Sequence, residues 1–530
     1  MISDSTKSDS HETMVGFLNG LDTQSLVIIL MLLISGVFLL KNLLQIFLVW
    51  HQQKYTAALD VRLGSNLFRV YMGRNYGDHL LLNSSFLIRN VQAVSLISSG
   101  YLVPIMNLIS DVVTAVAMFA FLFYLEPIGT TIALMFFGVA GYLFQRVTKR
   151  RIIRWGEDRL KFGTEALKNL QYGFGGLKDA KVLGREDFFK NSYETEFTKS
   201  MSLERKFNTI SALPKGFLEV VSVFGLSLLI VSMILNNKPL NEIVPIIGLF
   251  TATAFRLMPA VTRMISNVSI LRYSGGSIQT FSNDFTIPEV DLNSESVADF
   301  TQQIRFNDVE FAYPNSTKLT LCGLSFCIRK GESVGFIGES GAGKSTLADL
   351  IIGLLVPTSG EIYLDEVKAD LANRNWMNQL GYVPQNIYLI DDSVEKNIAF
   401  GVDDADIDRV RIEEVVAFSQ LTEFIKRLPD GLETIVGERG ARISGGERQR
   451  IGIARALYNR PNILIFDEAT SSLDNETELE IVELIKDLGA QCTVISIAHR
   501  FSTLKNCNRI FRIDNGRIVQ EGTFDEVIGV

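Results

Sequence analysis

The sequence predicts an α-helical transmembrane domain followed by an α/β domain, and two observations separate these parts. Long apolar runs, each close to the roughly 20 residues that a helix needs to cross a bilayer, all lie before residue 265. From Ile304 onward, short β-rich runs alternate with helical ones around a glycine-rich loop, as in a parallel α/β sheet. We therefore expect a polar tail over 1–24, a membrane domain over 25–279, a linker over 280–303 and an α/β domain over 304–530.

The membrane domain is predicted from apolar runs that alternate with long polar stretches. Five runs are candidate spans, at roughly 25–50, 98–125, 130–147, 217–235 and 243–265. The intervening stretches keep a helical pattern with few breakers, which predicts helices that project well beyond the bilayer. Turns at 75–79 and 172–176 interrupt these helices.

The charges in the loops predict the orientation of the spans. Cations crowd the segments after the first and third spans, including Lys149, Arg150 and Arg151, whereas the turn at 126–129 has none. Basic loops stay in the cytoplasm, so the α/β domain is predicted to be cytoplasmic. This orientation places the N-terminus outside with an odd number of spans, and we expect that the chain lacks a first membrane helix.

The composition argues against nucleic-acid binding and against a cysteine metal site. Hydrophobic residues make up 47% of the 530 residues and the formal net charge is −8, so no basic face is expected to meet nucleic acid. The cysteines match no metal-site spacing and are predicted to be reduced thiols: Cys322, Cys327, Cys492 and Cys507.

A glycine-rich loop joins a predicted strand at 333–337 to a predicted helix at 347–355. Its sequence is that of a phosphate-binding loop in the required strand–loop–helix context: Gly338-Glu339-Ser340-Gly341-Ala342-Gly343-Lys344-Ser345-Thr346. The glycines allow backbone N–H groups to surround phosphates at a helix N-terminus. Lys344 is predicted to contact the β- and γ-phosphates of ATP, and the Ser345 hydroxyl to contact Mg²⁺.

Two adjacent carboxylates follow the apolar run 463–466. Asp467 and Glu468 end this predicted central strand at the sheet edge where ligands of such sheets bind. Asp467 is predicted to hold Mg²⁺ through water, and Glu468 to orient and deprotonate the attacking water. Together with the loop, this pair predicts ATP hydrolysis.

The run Ile443-Ser444-Gly445-Gly446-Glu447-Arg448-Gln449-Arg450 resembles the signature sequence of the ATP-binding cassette family. The resemblance extends over motifs in family order from Tyr313 to His499. It implies that Tyr313 stacks on adenine, that Gln385 senses Mg²⁺ and the attacking water, and that His499 binds the γ-phosphate. It also implies that the loop ending at Asp474 contacts a second cassette.

The signature departs from the family pattern at two positions. Glu447 stands where glutamine is more frequent, and Ile443 where leucine is more frequent. The nucleotide-contacting residues Ser444, Gly445 and Gly446 are intact, so the resemblance implies an active ATPase. In this family the signature completes the ATP site of the opposite subunit. We therefore expect a homodimer, or pairing with a related half-transporter.

Membrane spans ahead of one cassette resemble the exporter branch of the family. The runs 336–341, 349–355, 384–389 and 255–259 are similar to the subfamily that flips lipid-linked oligosaccharides built on a polyprenyl diphosphate. Cations inside apolar runs are costly, and they often face an anionic partner or a water-filled cavity. Three such cations are predicted to contact an anionic headgroup: Lys41, Lys215 and Arg256. For Lys215 the competing interpretation is that it reaches the lipid headgroups without a function.

Three other interpretations remain. A transporter with the same cassette and membrane spans could instead export a drug, a peptide or lipid A. A soluble cassette ATPase of DNA repair or translation is disfavoured by the spans. A non-transporting regulator or an incomplete transporter is a third possibility, because the first helix is expected to be missing. The resemblance implies a bacterial inner membrane as the location, with the cassette in the cytoplasm.

Overall fold

The computed structural model describes residues 23–125, 127–235, 240–275, 299–314, 316, 318–437, 443–469, 475–489, 492–498 and 500–529. These residues form two compact units. The first unit holds the described residues among 1–72 and 83–288, and the second holds those among 73–82 and 289–530. Most of the predicted N-terminal tail and most of the predicted linker lie outside the described residues.

The part of the chain before residue 276 is helical. Its elements are α1 (Thr23–Met72), α2 (Tyr76–His79), α3 (Ser84–Gln92), α4 (Ser95–Ile97), a π-helical turn (Ser98–Leu102), α5 (Val103–Leu125), α6 (Pro127–Gly175), α7 (Leu177–Val182), α8 (Glu186–Leu235) and α9 (Leu240–Tyr273). The helix α1 has 50 residues. At 1.5 Å per residue it is about 75 Å long, more than twice the roughly 30 Å of a bilayer core. The helices therefore extend beyond the bilayer, in agreement with the pattern of the sequence.

Among the described residues, three helical segments are long and apolar enough to cross a membrane: Val27–Met72, Ser95–Phe121 and Glu186–Leu235. They cover most of the first and second predicted spans and contain the fourth. The third and fifth predicted spans lie within α6 and α9, which have 49 and 34 residues. Aliphatic side chains of α1 are exposed, for example Leu32 at 68% and Leu40 at 69%. A row of such side chains is unfavourable in water but suits hydrocarbon.

Small residues let three helices of the first unit approach closely. A Cβ on Gly156 of α6 would lie 1.9 Å from the carbonyl oxygen of Tyr273, at the end of α9. The Tyr273 ring in turn stacks on Phe207 of α8, with ring centroids 3.8 Å apart. The helices α6, α8 and α9 therefore pack together, and any larger residue at position 156 would separate two of them.

The second unit contains two sheets and the helices around them. Its elements are β1 (Gln303–Phe311), β2 (Leu321–Arg329), β3 (Ser333–Ile337), α10 (Lys344–Ile352), β4 (Ser359–Leu364), β5 (Val367–Lys368), α11 (Arg374–Met377), β6 (Leu380–Val383), α12 (Val394–Ile398), α13 (Arg409–Phe418), α14 (Thr422–Arg427), α15 (Gly445–Tyr458), β7 (Ile463–Asp467), α16 (Asn475–Gly489), β8 (Thr493–Ile497), α17 (Phe501–Leu504), β9 (Arg509–Asp514), β10 (Arg517–Gly522) and α18 (Phe524–Ile528). Short 3₁₀ turns lie at Asp404–Asp406 and Gly431–Glu433. The four-stranded sheet has the order β2-β1-β4-β5 and is antiparallel.

The six-stranded sheet has the order β10-β9-β3-β8-β7-β6 and is parallel except at its edge strand β10. The strands β3, β7 and β8 are almost entirely buried, as expected for a parallel sheet covered on both faces. Ligands of such sheets bind at the carboxyl ends of the strands. Because β3, β6 and β7 run parallel, their carboxyl ends lie on the same side of the sheet. The residues that follow these three strands form the candidate site.

Two segments near the expected domain boundaries belong to the second unit. Phe300, in the described end of the predicted linker, is fully buried, and its N–H donates to Gln379 Oε1 at 2.9 Å. Packing in the α/β unit therefore begins before the expected boundary at Ile304. The segment 73–82, which contains α2, also belongs to this unit, although the sequence assigned it to the membrane domain. The cysteines are free thiols: Cys322, Cys327, Cys492 and Cys507.

Candidate active site

The loop after β3 turns sharply into α10. Gly341 and Gly343 have φ angles of +83° and +103°, in the left-handed region that favours glycine. A Cβ on Gly343 would also lie 2.7 Å from Leu321 Cδ2. The first N–H groups of a helix have no intrahelical partners, and α10 begins at Lys344 directly after this loop. The backbone therefore presents N–H groups at a helix N-terminus, an arrangement that suits a bound anion.

Lys344 is buried in this loop, with only 3% of its surface exposed. Its Nζ donates to the carbonyl oxygens of Gly338 and Glu339, both at 2.8 Å. Burial lowers the pKa of Lys344, and the nearby charges of Glu468 and Asp467 oppose this change. Neutral carbonyls are weaker partners for an ammonium group than an anion is. A phosphate in the loop is thus the stronger partner for this cation.

The two predicted carboxylates stand at the end of β7. Asp467 is its last residue, and burial raises the pKa of this carboxyl group. Glu468 has a φ of +49°, an uncommon value for a residue with a side chain. Its N–H donates to the Ile497 carbonyl at 2.8 Å, which fixes this turn to the end of β8. The positive charge of Lys344 acts in the opposite direction to burial and lowers the pKa of Asp467.

The structure brings two further predicted residues to this edge. Gln385, which follows β6, donates from Nε2 to Glu468 Oε2 at 2.7 Å. The Tyr313 hydroxyl lies 2.9 Å from Thr346 Oγ1, in the first turn of α10. The phosphate loop, both carboxylates, Gln385 and Tyr313 therefore meet in one site. Adenine stacking by Tyr313 stays a prediction.

The signature run begins α15, and Ser444 is its N-cap. The Ser444 Oγ accepts from the Glu447 N–H at 3.3 Å, while Glu447 Oε2 accepts from the Ser444 N–H at 2.9 Å and from its hydroxyl at 2.8 Å. This reciprocal pair is a capping box, so the glutamate that departs from the family pattern has a structural role. Gly445 and Gly446 form the first turn of the helix. His499 and Asp474 lie outside the described residues.

The three cations predicted to contact a headgroup lie on different helices. Lys41 is exposed on α1, with its Nζ 5.9 Å from the centroid of the Phe38 ring. Lys215 is exposed on α8. Arg256 belongs to α9, and the position of its side chain lies outside what the structure describes. Their shared role as a headgroup site stays a prediction.

Sequence reasoning missed an ion pair between two helices of the first unit. Asp111 of α5 is 6% exposed, and its Oδ1 accepts from Arg263 Nε of α9 at 2.7 Å. Asn267, one turn further along α9, donates to Asp111 Oδ2 at 3.3 Å. The signal in the sequence was an aspartate inside an apolar run and an arginine near the end of another. Pairing them required the fold, because they are 152 positions apart.

Sequence reasoning also missed Asp349, on the helix that follows the phosphate loop. Burial and the charge of Asp467 raise the pKa of Asp349 from 3.8 to about 6. An acidic residue in an otherwise apolar stretch of α10 was the available signal. Asp349 adds a second half-buried carboxyl group, whose pKa is raised in part by the charge of the one predicted to hold Mg²⁺.

Asp349→Asn is expected to stabilise the protein above pH 6 in buffer free of nucleotide and Mg²⁺. The pKa of Asp349 in the folded state, about 6, is higher than the unfolded value near 3.8, so folding disfavours its ionised form. Stability is therefore lost as the pH rises from about 4 through 6, and the asparagine variant avoids this loss. Thermal melts should show a gain at pH 7.5 that shrinks toward pH 4. An equal gain at both pH values, or a gain in the exposed control Asp487→Asn, would contradict the assignment.

Comparison with known proteins agrees with this geometry. Residues 321–471 match the family model described as "ABC transporter". A protein of Cupriavidus pinatubonensis named "ATP-dependent lipid A-core flippase" is 31% identical over 450 residues, which cover 82% of this chain and 74% of that protein. The chain belongs to the ATP-binding cassette transporters. A Ralstonia nicotianae protein of the same name is 30% identical to this transporter over 448 residues, with 80% of the chain and 72% of that protein covered.

The fold of the transporter is that of an exporter. The structure of a bacterial Atm1-family ABC exporter with ATP bound superimposes with a TM-score of 0.81 and covers 98% of this chain and 91% of that one, at 24% identity. The transporter is accordingly an exporter-type half-transporter, with one helical membrane domain ahead of one cassette. It is an integral membrane protein of the bacterial inner membrane, with a cytoplasmic cassette that hydrolyses ATP.

Proposed function

We propose that the transporter is a flippase that uses ATP to move an anionic glycolipid of the lipid A-core type between membrane leaflets. The supporting observation is the extent of the similarity to proteins named lipid A-core flippase. The 450 matched residues are far more than the cassette contains, so the similarity includes a large part of the membrane domain, where the cargo must pass. These names favour the alternative of lipid A export over the polyprenyl-linked oligosaccharide that the cassette motifs suggested.

The residues at the site suit ATP with Mg²⁺. Mg²⁺ prefers oxygen ligands and keeps several bound waters, so the Ser345 hydroxyl would bind it directly and the Asp467 carboxylate would hold it through water. When bound, Mg²⁺ neutralises charge on the phosphate oxygens. Lys344 would bind the β- and γ-phosphates, and the N–H groups of the loop would hold them in place. Glu468, oriented by Gln385, would take the proton from the attacking water.

Motion of the cassette is proposed to reach the membrane helices through cytoplasmic turns. The short helix α2 lies between α1 and α3, and its segment 73–82 belongs to the same compact unit as the cassette. A Cβ on Gly77 in this segment would lie 3.6 Å from Leu355 Cδ2, which is ordinary contact distance. The segment is thus placed to move with the cassette. A second copy, or a related half-transporter, would supply the signature that completes each ATP site.

Glu447→Gln is expected to lower the ATP concentration at half-maximal hydrolysis by about two- to fivefold. The capping box tolerates glutamine at this position, so α15 should keep its N-terminus. The substitution removes a negative charge bonded to Ser444, which is proposed to face the nucleotide of the partner subunit. Steady-state hydrolysis against ATP concentration measures the effect. Glu423→Gln, at an exposed position on α14, is the control. An unchanged or weaker apparent affinity would show that the Glu447 charge does not face nucleotide.

Reconstitution in liposomes tests the cargo. ATP-dependent movement of a labelled lipid A-core glycolipid is compared with movement of a polyprenyl-diphosphate oligosaccharide and a neutral glycolipid, with Glu468→Gln as the inactive control. We expect the lipid A-core glycolipid to move fastest. Faster movement of the polyprenyl-linked lipid would restore the cargo suggested by the cassette motifs. ATP hydrolysis without movement of any of the three would overturn the glycolipid proposal.

The same assay tests the membrane cations. Replacing Lys41 and Arg256 together with glutamine should reduce flipping several-fold and leave basal ATP hydrolysis unchanged, because a phosphorylated headgroup would lose two cationic contacts. Lys54→Gln is the matched control, since Lys54 lies on α1 beyond the predicted span and sits over the Trp50 ring. Unchanged flipping in the double variant would rule out a headgroup site at these cations.

A further inference from the structure

The two carboxylates at the end of β7 each accept a hydrogen bond from the chain at the end of β6. Gln385 donates to Glu468, and the Tyr382 hydroxyl donates to Asp467 Oδ2 at 3.3 Å. The two strands are parallel and adjacent, with Tyr382 paired to Ile465, two residues before Asp467. The sheet register therefore brings the phenol to the carboxylate. Gln385 belongs to a family motif, whereas nothing in the motifs assigns a role to Tyr382.

Tyr382 donates its hydrogen bond to a carboxylate whose ionised form is disfavoured by its surroundings. Burial and the adjacent Glu468 charge both raise the pKa of Asp467, while the Tyr382 bond and Lys344 lower it. Asp349 adds another acidic group nearby, since Asp467 also raises the pKa of that carboxyl group. Of the groups acting on Asp467, Tyr382 is a neutral donor that favours the ionised form without adding a charge to the site.

The bond also fixes the orientation of the Asp467 side chain. The terminal torsion of an aspartate is broad, so the carboxylate rotates unless a partner holds one oxygen. Tyr382 binds Oδ2, so the rotation of the carboxylate is restricted at one of its two oxygens. Partners that hold a ligating carboxylate typically contribute 10- to 100-fold to metal affinity, because a freely rotating ligand must be ordered when the metal binds.

We propose that Tyr382 is a positioning residue for Mg²⁺, which it serves by holding Asp467 with one oxygen turned toward the ion. The proposal rests on the role of Asp467 proposed above. Tyr382 itself does not touch Mg²⁺ or ATP. Its hydroxyl acts through Asp467, in parallel with the action of Gln385 on Glu468.

The test measures Mg²⁺ dependence of nucleotide binding in the full-length protein in detergent. A Glu468→Gln background prevents turnover, and a fluorescent ATP analogue reports binding, first in EDTA and then during titration with Mg²⁺. Tyr382→Phe removes the hydroxyl alone. We expect the Mg²⁺ concentration at half-maximal effect to rise about tenfold, with binding in EDTA unchanged. Unchanged binding in EDTA also reports that the variant is folded.

Two further variants test whether the effect is specific to the Tyr382 hydroxyl and whether it acts through Asp467. Tyr363→Phe is the matched control, because its hydroxyl donates to Glu361 at 2.5 Å on the antiparallel sheet, outside the site. On an Asp467→Asn background, Tyr382→Phe should add little to the Mg²⁺ requirement, since residues that act through one group are not additive.

Three outcomes would overturn the proposal, and they are distinguishable. An unchanged Mg²⁺ requirement in Tyr382→Phe would show that the bond has no positioning effect. Weaker binding of equal size in EDTA and in Mg²⁺ would show that the hydroxyl supports packing alone. If Asp467→Asn itself leaves the Mg²⁺ requirement unchanged, Asp467 does not hold Mg²⁺, and the proposed metal role fails together with the positioning role. The glycolipid proposal is independent of all three.

Discussion

Glu468→Gln is expected to reduce ATP hydrolysis by at least about 100-fold while ATP binding persists. The side chain is held by the Gln385 bond at 2.7 Å, and its backbone by the bond to the Ile497 carbonyl at 2.8 Å. Glutamine has nearly the same size as glutamate but cannot accept the proton of the attacking water. General acid–base groups contribute about 10²–10⁴-fold to rates, which sets the expected loss.

Phosphate release and binding of a fluorescent ATP analogue are measured on the same purified protein. Glu483→Gln, at an exposed position on α16, is the matched control and should hydrolyse ATP at the normal rate. Hydrolysis by Glu468→Gln within a few-fold of the wild type would assign the base to another group. Loss of ATP binding together with hydrolysis would instead indicate that the variant damages the site.

The backbone at Glu468 supports a role in the chemistry. Its φ of +49° lies in a region that residues other than glycine rarely adopt. Such conformations persist where the surrounding structure enforces them, and they cluster at functional sites. Here β7 and β8 provide that constraint through the hydrogen bond between Glu468 and Ile497. The strand–carboxylate pattern in the sequence located this residue, but its backbone conformation could not be predicted from the pattern.

The sequence predicted those parts of the site that depend on local pattern. The phosphate loop, its strand and its helix are contiguous, so the spacing of Gly338, Gly343 and Lys344 located them, although the helix spans Lys344–Ile352 and begins three residues before the predicted start. The capping box could have been predicted in the same way, because serine followed three residues later by glutamate is its signature. The glutamate at 447 was treated instead as a mild departure from a family pattern.

Features that depend on the fold were missed. Tyr382 reaches Asp467 because β6 and β7 are neighbours, and no local pattern reveals which strands are adjacent. The same limit applies to the membrane domain, where the sequence shows single cations within apolar runs but not which carboxylate each of them contacts. Arg263 and its partner Asp111 lie in different predicted spans, so their pairing depends on the fold. The assignment of the segment 73–82 also required tertiary contacts.

Arg263→Gln is expected to destabilise the transporter more than the double variant with Asp111→Asn. Removing the arginine leaves the Asp111 carboxylate buried at 6% exposure, with Asn267 as its other donor on α9. An uncompensated buried charge costs about 3–5 kcal/mol. The Arg263 side chain is 55% exposed, which weakens the pair, so we expect roughly 2 kcal/mol. At about 2–4 °C per kcal/mol, the melting temperature should fall by about 4–8 °C.

The double variant separates the effect of charge from that of packing. With Asp111→Asn present, no buried carboxylate remains, and the amide can accept from and donate to neighbouring groups. Most of the lost melting temperature should therefore return, whereas a packing defect at Arg263 would persist or worsen. Lys149→Gln, at an exposed cation on α6, controls for a general loss of positive charge. Melting measured at one scan rate in one detergent gives the comparison. Equal losses in the single and double variants would show that the pair contributes through shape, and that α5 and α9 do not depend on its charge.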